Sequence, residues 1–115
     1  MNIEEVREYC IAKKAVSESF PFNDTALVFK VMDKMFCILS LDDQRLSLKN
    51  DPEKNFELRS HYPAITEGYH LHKQQWNTIR LDGSVPPKLL KELIDDSYRL
   101  ILEKIPKKKR EGYGK

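Results

Sequence analysis

The spacing of apolar and polar positions predicts a helix at the start of the chain and a loop after it. The letters N-I-E-E from Asn2 form a capping-box pattern, and apolar residues then recur at helical spacing to about Lys13. The segment AVSESFPFND, residues 15–24, is rich in turn-forming residues and predicts a loop that leads into a sheet. Phe20 and Phe22 are expected to anchor this loop to the core.

Three β-rich runs separated by short polar turns follow, at residues 25–32, 35–41 and 44–50. Their order predicts an antiparallel meander. In the first two runs both alternating sets of side chains are apolar, so these strands are expected to be central, or to expose an apolar patch that binds a partner. In the third run the leucines are predicted to face inward and the polar residues outward: Arg45, Ser47 and Lys49.

The second half of the chain predicts two helices and one more strand. Asp51-Pro52-Glu53 is typical of a helix start, and the helix is expected to end near Ser60. WNTIRLD, residues 76–82, alternates as a strand does. Ser84 is predicted to cap a last helix that begins at Pro86 or Pro87, has a wide apolar stripe and ends near Glu103. The fold class is therefore predicted as α/β, an α+β sandwich whose antiparallel sheet has helices packed mainly on one face.

The charges divide the chain into a body and a tail. From Lys104 onward the chain has 6 Lys/Arg against 1 acidic residue, whereas the preceding residues have 14 Lys/Arg against 17 Asp/Glu, a net charge of −3. The 115 residues fit a single domain, predicted at 1–106, with a disordered basic tail at 107–115. A slightly acidic body argues against strong DNA binding by the body itself.

Compartment and membrane expectations come from the cysteines and the apolar runs. Cys10 and Cys37 fall within helix and strand patterns, and no secretory pattern precedes them, which favours a reducing cytoplasm. The apolar runs are far shorter than the roughly 18 residues that a membrane span requires. We expect a cytoplasmic protein with no membrane partner.

Several motifs occur in an order that resembles the MmcQ/YjbR family. They are SESFPFNDTALVFKVMDKMFCIL, LSLKNDPE, GYHLHKQQWNTIRLDGSVP and LIDDSYRLI, which together span nearly the whole chain. The H-L-x-K-x-x-W segment at 70–76 is the most specific part, although His72 and Gln75 stand where members of the family often carry Asn and His. The resemblance implies a frataxin-like (CyaY-like) fold and a DNA-binding function.

Residues 68–83 contain the candidate binding surface. Strand alternation places Trp76, Thr78 and Arg80 on one face, with Lys73 on the preceding turn. An aromatic platform beside cations suits single-stranded nucleic acid or an anionic ligand, because bases stack on the ring and cations neutralise phosphate. The other interpretation is structural. Trp76 would then pack over the second apolar face of the sheet, formed by Val28, Phe36 and Ile38.

Metal and catalytic chemistry have little support in the sequence. His70 and His72 are two residues apart and could share a face, with His61 or Glu67 as a third ligand, but no Cys-x-x-Cys or His-Glu-x-x-His pattern is present. Cys37 lies in a strand pattern and has no assignable base. We therefore expect no bound metal, no cofactor and no enzymatic activity.

These observations and the resemblance predict a small binding protein whose partner is DNA. The candidate binding residues are His70, Lys73, Trp76, Thr78, Arg80, Lys107, Lys108, Lys109 and Arg110. The alternative is a non-catalytic domain that binds a small molecule or a protein partner at the same Trp-centred face, and the acidic charge of the body favours this alternative.

Overall fold

The structure, a computed structural model, describes residues 1–68 and 71–112. The helices are α1 (Ile3–Ile11), α2 (Pro52–His61) and α3 (Pro87–Lys104). The strands are β1 (Val16–Ser19), β2 (Ala26–Val31), β3 (Lys34–Ser40), β4 (Arg45–Lys49), β5 (Ile65–Glu67) and β6 (Trp76–Arg80). A single 3-10 turn, Lys109–Gly112, lies within the segment for which the sequence predicts a disordered tail.

All the strands join one antiparallel sheet in the order β1-β2-β3-β4-β6-β5. Helix α1 packs near β1, α3 crosses the central strands, and α2 covers β5 and β6. Apolar residues of all three helices and of alternate strand positions form one core, in which Cys10, Leu58 and Ile94 represent the helices. The helices therefore cover one face of the sheet, and the predicted fold class is confirmed.

The central meander and the first helix cap are as the sequence predicts. Strands β2, β3 and β4 are neighbours in the sheet, and Asn2 and Glu5 form the reciprocal bonds of a capping box. Two edge strands are absent from the sequence prediction. Strand β1 lies in the segment assigned to a loop, and β5 has only 3 residues. An edge strand has one neighbour and alternating exposure, so its sequence carries little of the apolar pattern of a central strand.

A β-bulge in β3 changes which face one large side chain occupies. Phe29 pairs with Cys37 and Lys30 pairs with Met35, so Phe36 is an extra residue with no partner on β2. The bulge places Phe36 in the helix-side core, where its ring meets Tyr98 edge-on with 5.4 Å between centroids. The expectation that Phe36 belongs to the second apolar face is therefore wrong, because a bulge interrupts the regular alternation of side chains between the two sheet faces.

Helix α3 is joined to the sheet by a buried serine. The Ser97 hydroxyl donates to the carbonyl of Phe36 at 2.6 Å and accepts from the backbone N–H of Lys49 at 2.9 Å. The last backbone pair between β3 and β4 is Cys37 with Leu48, so Ser97 stands where the two strands begin to separate. The side chain thus replaces a missing ladder contact.

Helix α3 begins at Pro87, one of the two starts that the sequence predicts, but Ser84 does not cap it. Its cap position is Pro86, and the Ser84 hydroxyl and N–H instead donate to the Asp82 carboxylate at 2.6 and 2.9 Å. The predicted Ser84 cap is wrong because the hydroxyl and N–H of Ser84 are already hydrogen-bonded within this local turn.

None of the helices in the described part of the chain combines the length and apolar character that a membrane span requires.

Candidate functional site

The face of the sheet opposite the helices carries the candidate site. A cleft of about 420 Å³ lies on it, between the loop before β2 and the turn after β3. Its floor consists of side chains from β2, β3, β4 and β6 that alternate with core residues: Ala26, Ile38, Ser40, Ser47 and Thr78. The cleft therefore draws its residues from strands that are distant in sequence.

Hydroxyl groups form the centre of this floor. Ser47 and Thr78 pair directly across β4 and β6, and their hydroxyl oxygens lie 3.2 Å apart. Ser40 adds a third hydroxyl from β3. A hydroxyl can both donate and accept, so the floor can meet a polar group of either kind.

Phe22 contributes apolar surface to the lining of the cleft. Phe22 lies at the rim and is 67% exposed, so neither it nor Phe20, which is 48% exposed, anchors the loop to the core as expected. The loop is instead held by the side chain of Asn23, which accepts from the backbone N–H groups of Thr25 and Ala26 at 2.9 and 2.8 Å. This local turn sets the approach of Phe22 to the cleft.

Trp76 is buried at the start of β6, on the same sheet face as Thr78 and Arg80. Only 7% of the residue is exposed, which agrees with the packing interpretation and leaves no exposed ring on which a base could stack. Its carbonyl accepts from the N–H of Gly68 at 2.9 Å, and a Cβ atom at Gly68 would lie 2.7 Å from the Cβ of Trp76. The close contact explains why a glycine occupies position 68.

A buried amide network holds the segment before β6. Asn55 Nδ2 donates to the carbonyls of Asn50 and Gln74 at 3.2 and 3.1 Å, and Asn77 Nδ2 donates to the carbonyl of Asn55 at 3.2 Å. Arg59 completes the network with a 2.7 Å bond to Asn77 Oδ1. The sequence interpretation missed these residues, because isolated asparagines in a helix and a strand give no signal of their own.

Charged residues surround one end of the cleft. Arg45 lies opposite Arg80 across β4 and β6, and Asp42 and Asp43 precede Arg45 in the turn after β3. Arg80 is 3.9 Å from Asp82. Hydrogen bonds from the Ser84 side chain and backbone hold the pKa of Asp82 below its usual range.

The structure does not bring all the predicted binding residues together. Thr78 lines the cleft, Arg80 shares its face and pairs with Arg45, and Lys73 is exposed on the segment before β6. His70 lies outside the described residues. Lys109 is beside the β2–β3 turn with Met32, at the opposite end of these strands from Ala26. At about 3.3 Å per residue, the basic cluster and the cleft are separated by roughly 20 Å along β2.

That basic cluster has two kinds of residue in it. Lys107, Lys108 and Lys109 are exposed, whereas Arg110 is partly buried within the 3-10 turn.

In residues 1–68 and 71–112, no three histidine, cysteine or acidic side chains converge as metal ligands would. Cys10 and Cys37 are buried with their sulfur atoms 3.9 Å apart, and burial raises the pKa of the Cys37 thiol.

Comparison with known families identifies the chain. The YjbR family model matches residues 11–100, which include the sheet and most of the helices. The chain belongs to the YjbR family. Two Escherichia coli proteins are similar over most of their length. Uncharacterized protein YjbR of strain K12 is 34% identical over 96% of this chain and 95% of its own length, and Uncharacterized protein YbdF of strain O157:H7 is 29% identical over 91% and 88%.

Solved YjbR-like structures show the same fold. The crystal structure of Deinococcus radiodurans protein DR2400, a DUF419 domain, superposes with a TM-score of 0.88 at 43% identity and covers 95% of this chain and 85% of its own. A crystal structure from Pseudomonas syringae gives a TM-score of 0.77 at 26% identity, with 88% and 99% covered. The resemblance to the MmcQ/YjbR family is thus confirmed in sequence and in structure.

One described residue of the motif that carries this YjbR resemblance lines the cleft. Within the described part of H-L-x-K-x-x-W, Leu71 lines the cleft, Lys73 is exposed and Trp76 is buried. The carbonyl of His72 accepts from the N–H groups of Gln75 and Trp76 at 3.1 and 2.9 Å, which folds this segment into a tight turn. The family motif therefore contributes Leu71 to the lining of the cleft.

Proposed function

We propose that this YjbR-family protein is a binding domain that takes a small molecule on the open face of its sheet. The observation that carries the proposal is the cleft of about 420 Å³, whose volume lies within the usual range of ligand sites. The apolar side chains of Phe22, Ile38 and Leu71 line it together with the hydroxyls of the floor. Such a site binds an apolar body and orients it through a few polar contacts.

The proposed activity is binding without catalysis. The described residues that line the cleft include no histidine, cysteine or lysine, which are the residues that most often act as a base or nucleophile. Ser47 and Thr78 share a hydrogen bond between their hydroxyl groups in the floor of the cleft. The chemistry on the floor suits recognition of a ligand.

Fluorescence titration with the neutral probe N-phenyl-1-naphthylamine tests this proposal. We expect saturable binding of the probe, because the cleft combines apolar side chains with a volume that suits a small ligand. Replacing Ser40 with Trp fills the floor and should abolish binding, whereas Ser17→Trp adds the same ring on β1, away from the cleft. Equal binding by wild type and Ser40→Trp would contradict the proposal.

The second candidate function is DNA binding, which the family resemblance implies. It is supported by the exposed cations Lys73 and Arg80 and by the exposed lysines at 107–109. The carboxylates of Asp42 and Asp43 at the cleft would repel a phosphate backbone, and this makes DNA the less favoured partner of this face.

Polarisation of a short labelled duplex at low and near-physiological salt tests DNA binding. If DNA binds, affinity should fall by about one power of salt concentration per phosphate contacted. Replacing the three lysines at 107–109 with Gln should weaken binding, whereas Lys88→Gln with Lys91→Gln on α3 should not. An absence of binding at low salt would exclude this function.

We also propose a reducing cytoplasmic location. The proposal is supported by Cys10 and Cys37, whose sulfur atoms are 3.9 Å apart and whose thiols are free. We expect two titratable thiols after denaturation of protein taken directly from cells under acid quench. A disulfide in that sample would contradict the proposal.

A further inference from the structure

The register of β4 and β6 places two like charges against each other. Arg45 and Arg80 are directly opposed in the antiparallel pair, next to the Ser47–Thr78 pair of the cleft floor. Directly opposed side chains have Cβ atoms about 5 Å apart, and like charges in this position are unfavourable. Both arginines are exposed on the cleft side, so nothing in the packing requires either charge.

Among the described residues, only Arg80 of this arginine pair has a carboxylate within ion-pair distance. Arg80 is 3.9 Å from Asp82, whose other oxygen accepts from the Ser84 hydroxyl and N–H. In the part of the chain that the structure describes, Arg45 forms no ion pair. Asp42 Oδ1 accepts from the N–H of Asp43 and is used within its own turn. Arg45 in the lining of the cleft and Arg80 directly opposite it on β6 thus present two guanidinium groups that an anion could bridge.

We infer that the ligand of the cleft is a small organic oxyanion, with one carboxylate, sulfonate or phosphate group held between Arg45 and Arg80. This inference rests on the proposed function and specifies its ligand class. Guanidinium groups bind oxyanions through paired hydrogen bonds, and the hydroxyl of Ser47 lies two residues from Arg45, on the same face of β4. The apolar body of the ligand lies against Ile38 and Leu71.

The acidic residues limit the size of this anion. Asp42 and Asp43 line the same cleft and would face any charge that extends beyond the arginine pair. A single oxyanion can contact Arg45 and Arg80 without approaching these carboxylates as a chain of phosphates would. The ligand class is therefore a molecule with one anionic group and an apolar body, not a polyanion.

Two matched fluorescent probes test the inference. The probe 8-anilino-1-naphthalenesulfonate has the same ring system as N-phenyl-1-naphthylamine and carries one sulfonate. We expect Arg45→Gln and Arg80→Gln each to weaken binding of the sulfonate about 10-fold to 100-fold, the range for loss of a charged hydrogen bond. Binding of the neutral probe should change less than about twofold, since the variants leave the apolar wall intact.

The control variant is Arg99→Gln, which removes an exposed arginine on α3, away from the cleft. It should leave the binding of both probes unchanged. Far-UV circular dichroism and a one-to-one stoichiometry establish that the sulfonate binds the folded protein. Without probe, Arg45→Gln should melt at or slightly above the wild-type temperature, because it removes a like-charge pair. A lower melting temperature would indicate a structural role for Arg45 and contradict the inference.

Competition identifies the oxyanion. Benzoate and phenyl phosphate each carry one anionic group on the same ring, so the stronger competitor against the sulfonate probe shows whether carboxylate or phosphate is preferred. If both probes bind in the cleft but the arginine variants affect them equally, the inference is wrong and the proposed function stands. If neither probe binds, or Ser40→Trp leaves both bound, the proposed function fails and this inference with it.

Discussion

Asn55 and Asn77 are almost fully buried, and their amide groups must find hydrogen-bond partners inside the protein. Asn55 meets this need by bonding to the carbonyl of Gln74, in the segment that carries Leu71 into the cleft wall. The position of the wall thus depends on an amide in α2, far from it in sequence. Nothing in the spacing of apolar residues identifies such an amide.

We expect Asn55→Ala to lower the free energy of unfolding by about 1 to 3 kcal/mol, because the carbonyls of Asn50 and Gln74 lose a buried donor. Urea denaturation followed by Trp76 fluorescence measures the change. The control is Gln74→Ala, which removes an exposed side chain and keeps the backbone carbonyl. Equal stability of the two variants would show that the amide network contributes little.

The contact between Gly68 and Trp76 gives a second prediction at this scale. In Gly68→Ala the new Cβ would lie 2.7 Å from the Cβ of Trp76 and 3.0 Å from its carbonyl oxygen, so backbone must move. We expect a loss of about 1 to 3 kcal/mol in the free energy of unfolding, with a red shift of the tryptophan emission.

Gly83 is the matched comparison for Gly68. It has a positive φ of 86°, and a Cβ there would meet nothing within 4 Å. Gly83→Ala should therefore cost about 1 kcal/mol through backbone strain and leave the emission of Trp76 unchanged. A red shift in Gly83→Ala, or none in Gly68→Ala, would contradict the steric explanation.

At the scale of secondary-structure elements, α3 is held to the sheet by Ser97. We expect Ser97→Ala to reduce the free energy of unfolding by about 2 kcal/mol, because the Phe36 carbonyl and the Lys49 N–H both lose their buried partner. Hydrogen exchange of the Lys49 amide should accelerate. Ser60→Ala removes an exposed hydroxyl bond within α2 and should change stability by less than about 0.5 kcal/mol. Unchanged exchange at Lys49 would rule out the bridging role.

Tyr9 links α1 to α3 through a hydrogen bond to Asp95, and it ionises only at high pH. Burial, with the hydrogen bond to Asp95 as the next cause, raises the pKa of Tyr9 to about 12. Because the folded pKa is above the unfolded value, the stabilisation is complete below about pH 10 and is lost as pH rises toward 12.

Absorbance at 295 nm during a pH titration measures this ionisation. We expect Tyr9→Phe to remove the highest-pKa component of the curve and to reduce the loss of stability between pH 10 and about 12. Tyr62→Phe on the same protein is the control and should keep that component. If the Tyr9→Phe variant still shows the highest-pKa component, that ionisation belongs to another tyrosine.

The elements also show where sequence patterns succeed. The apolar runs of β2, β3 and β4 and the stripe of α3 predict their structures because each buries a large apolar set. Strand β1 is not predicted because its sequence VSES is mostly polar. The sheet face that Phe36 occupies is not predicted either, because the bulge depends on pairing with β2. Local patterns define the elements, whereas pairing between elements decides the exceptions.

At the scale of the whole molecule, the sequence alone predicts only part of the candidate site. Strand alternation correctly places Thr78 and Arg80 on one face and Arg45 outward. The meeting of Arg45 with Arg80 could not be predicted, because it depends on the register between strands that are separated by α2 and β5. The close contact between Trp76 and Gly68 likewise cannot be read from the spacing of apolar residues.

The ends of the sheet have a consequence for the behaviour of the protein at high concentration. The edge strands β1 and β5 have 4 and 3 residues, and only alternate residues of an edge strand direct their N–H and C=O groups outward. A foreign strand would therefore find about two pairing residues on either side, which is too few for a stable ladder. The protein can leave one sheet face open to ligands while its short, polar edges resist fibril-like stacking.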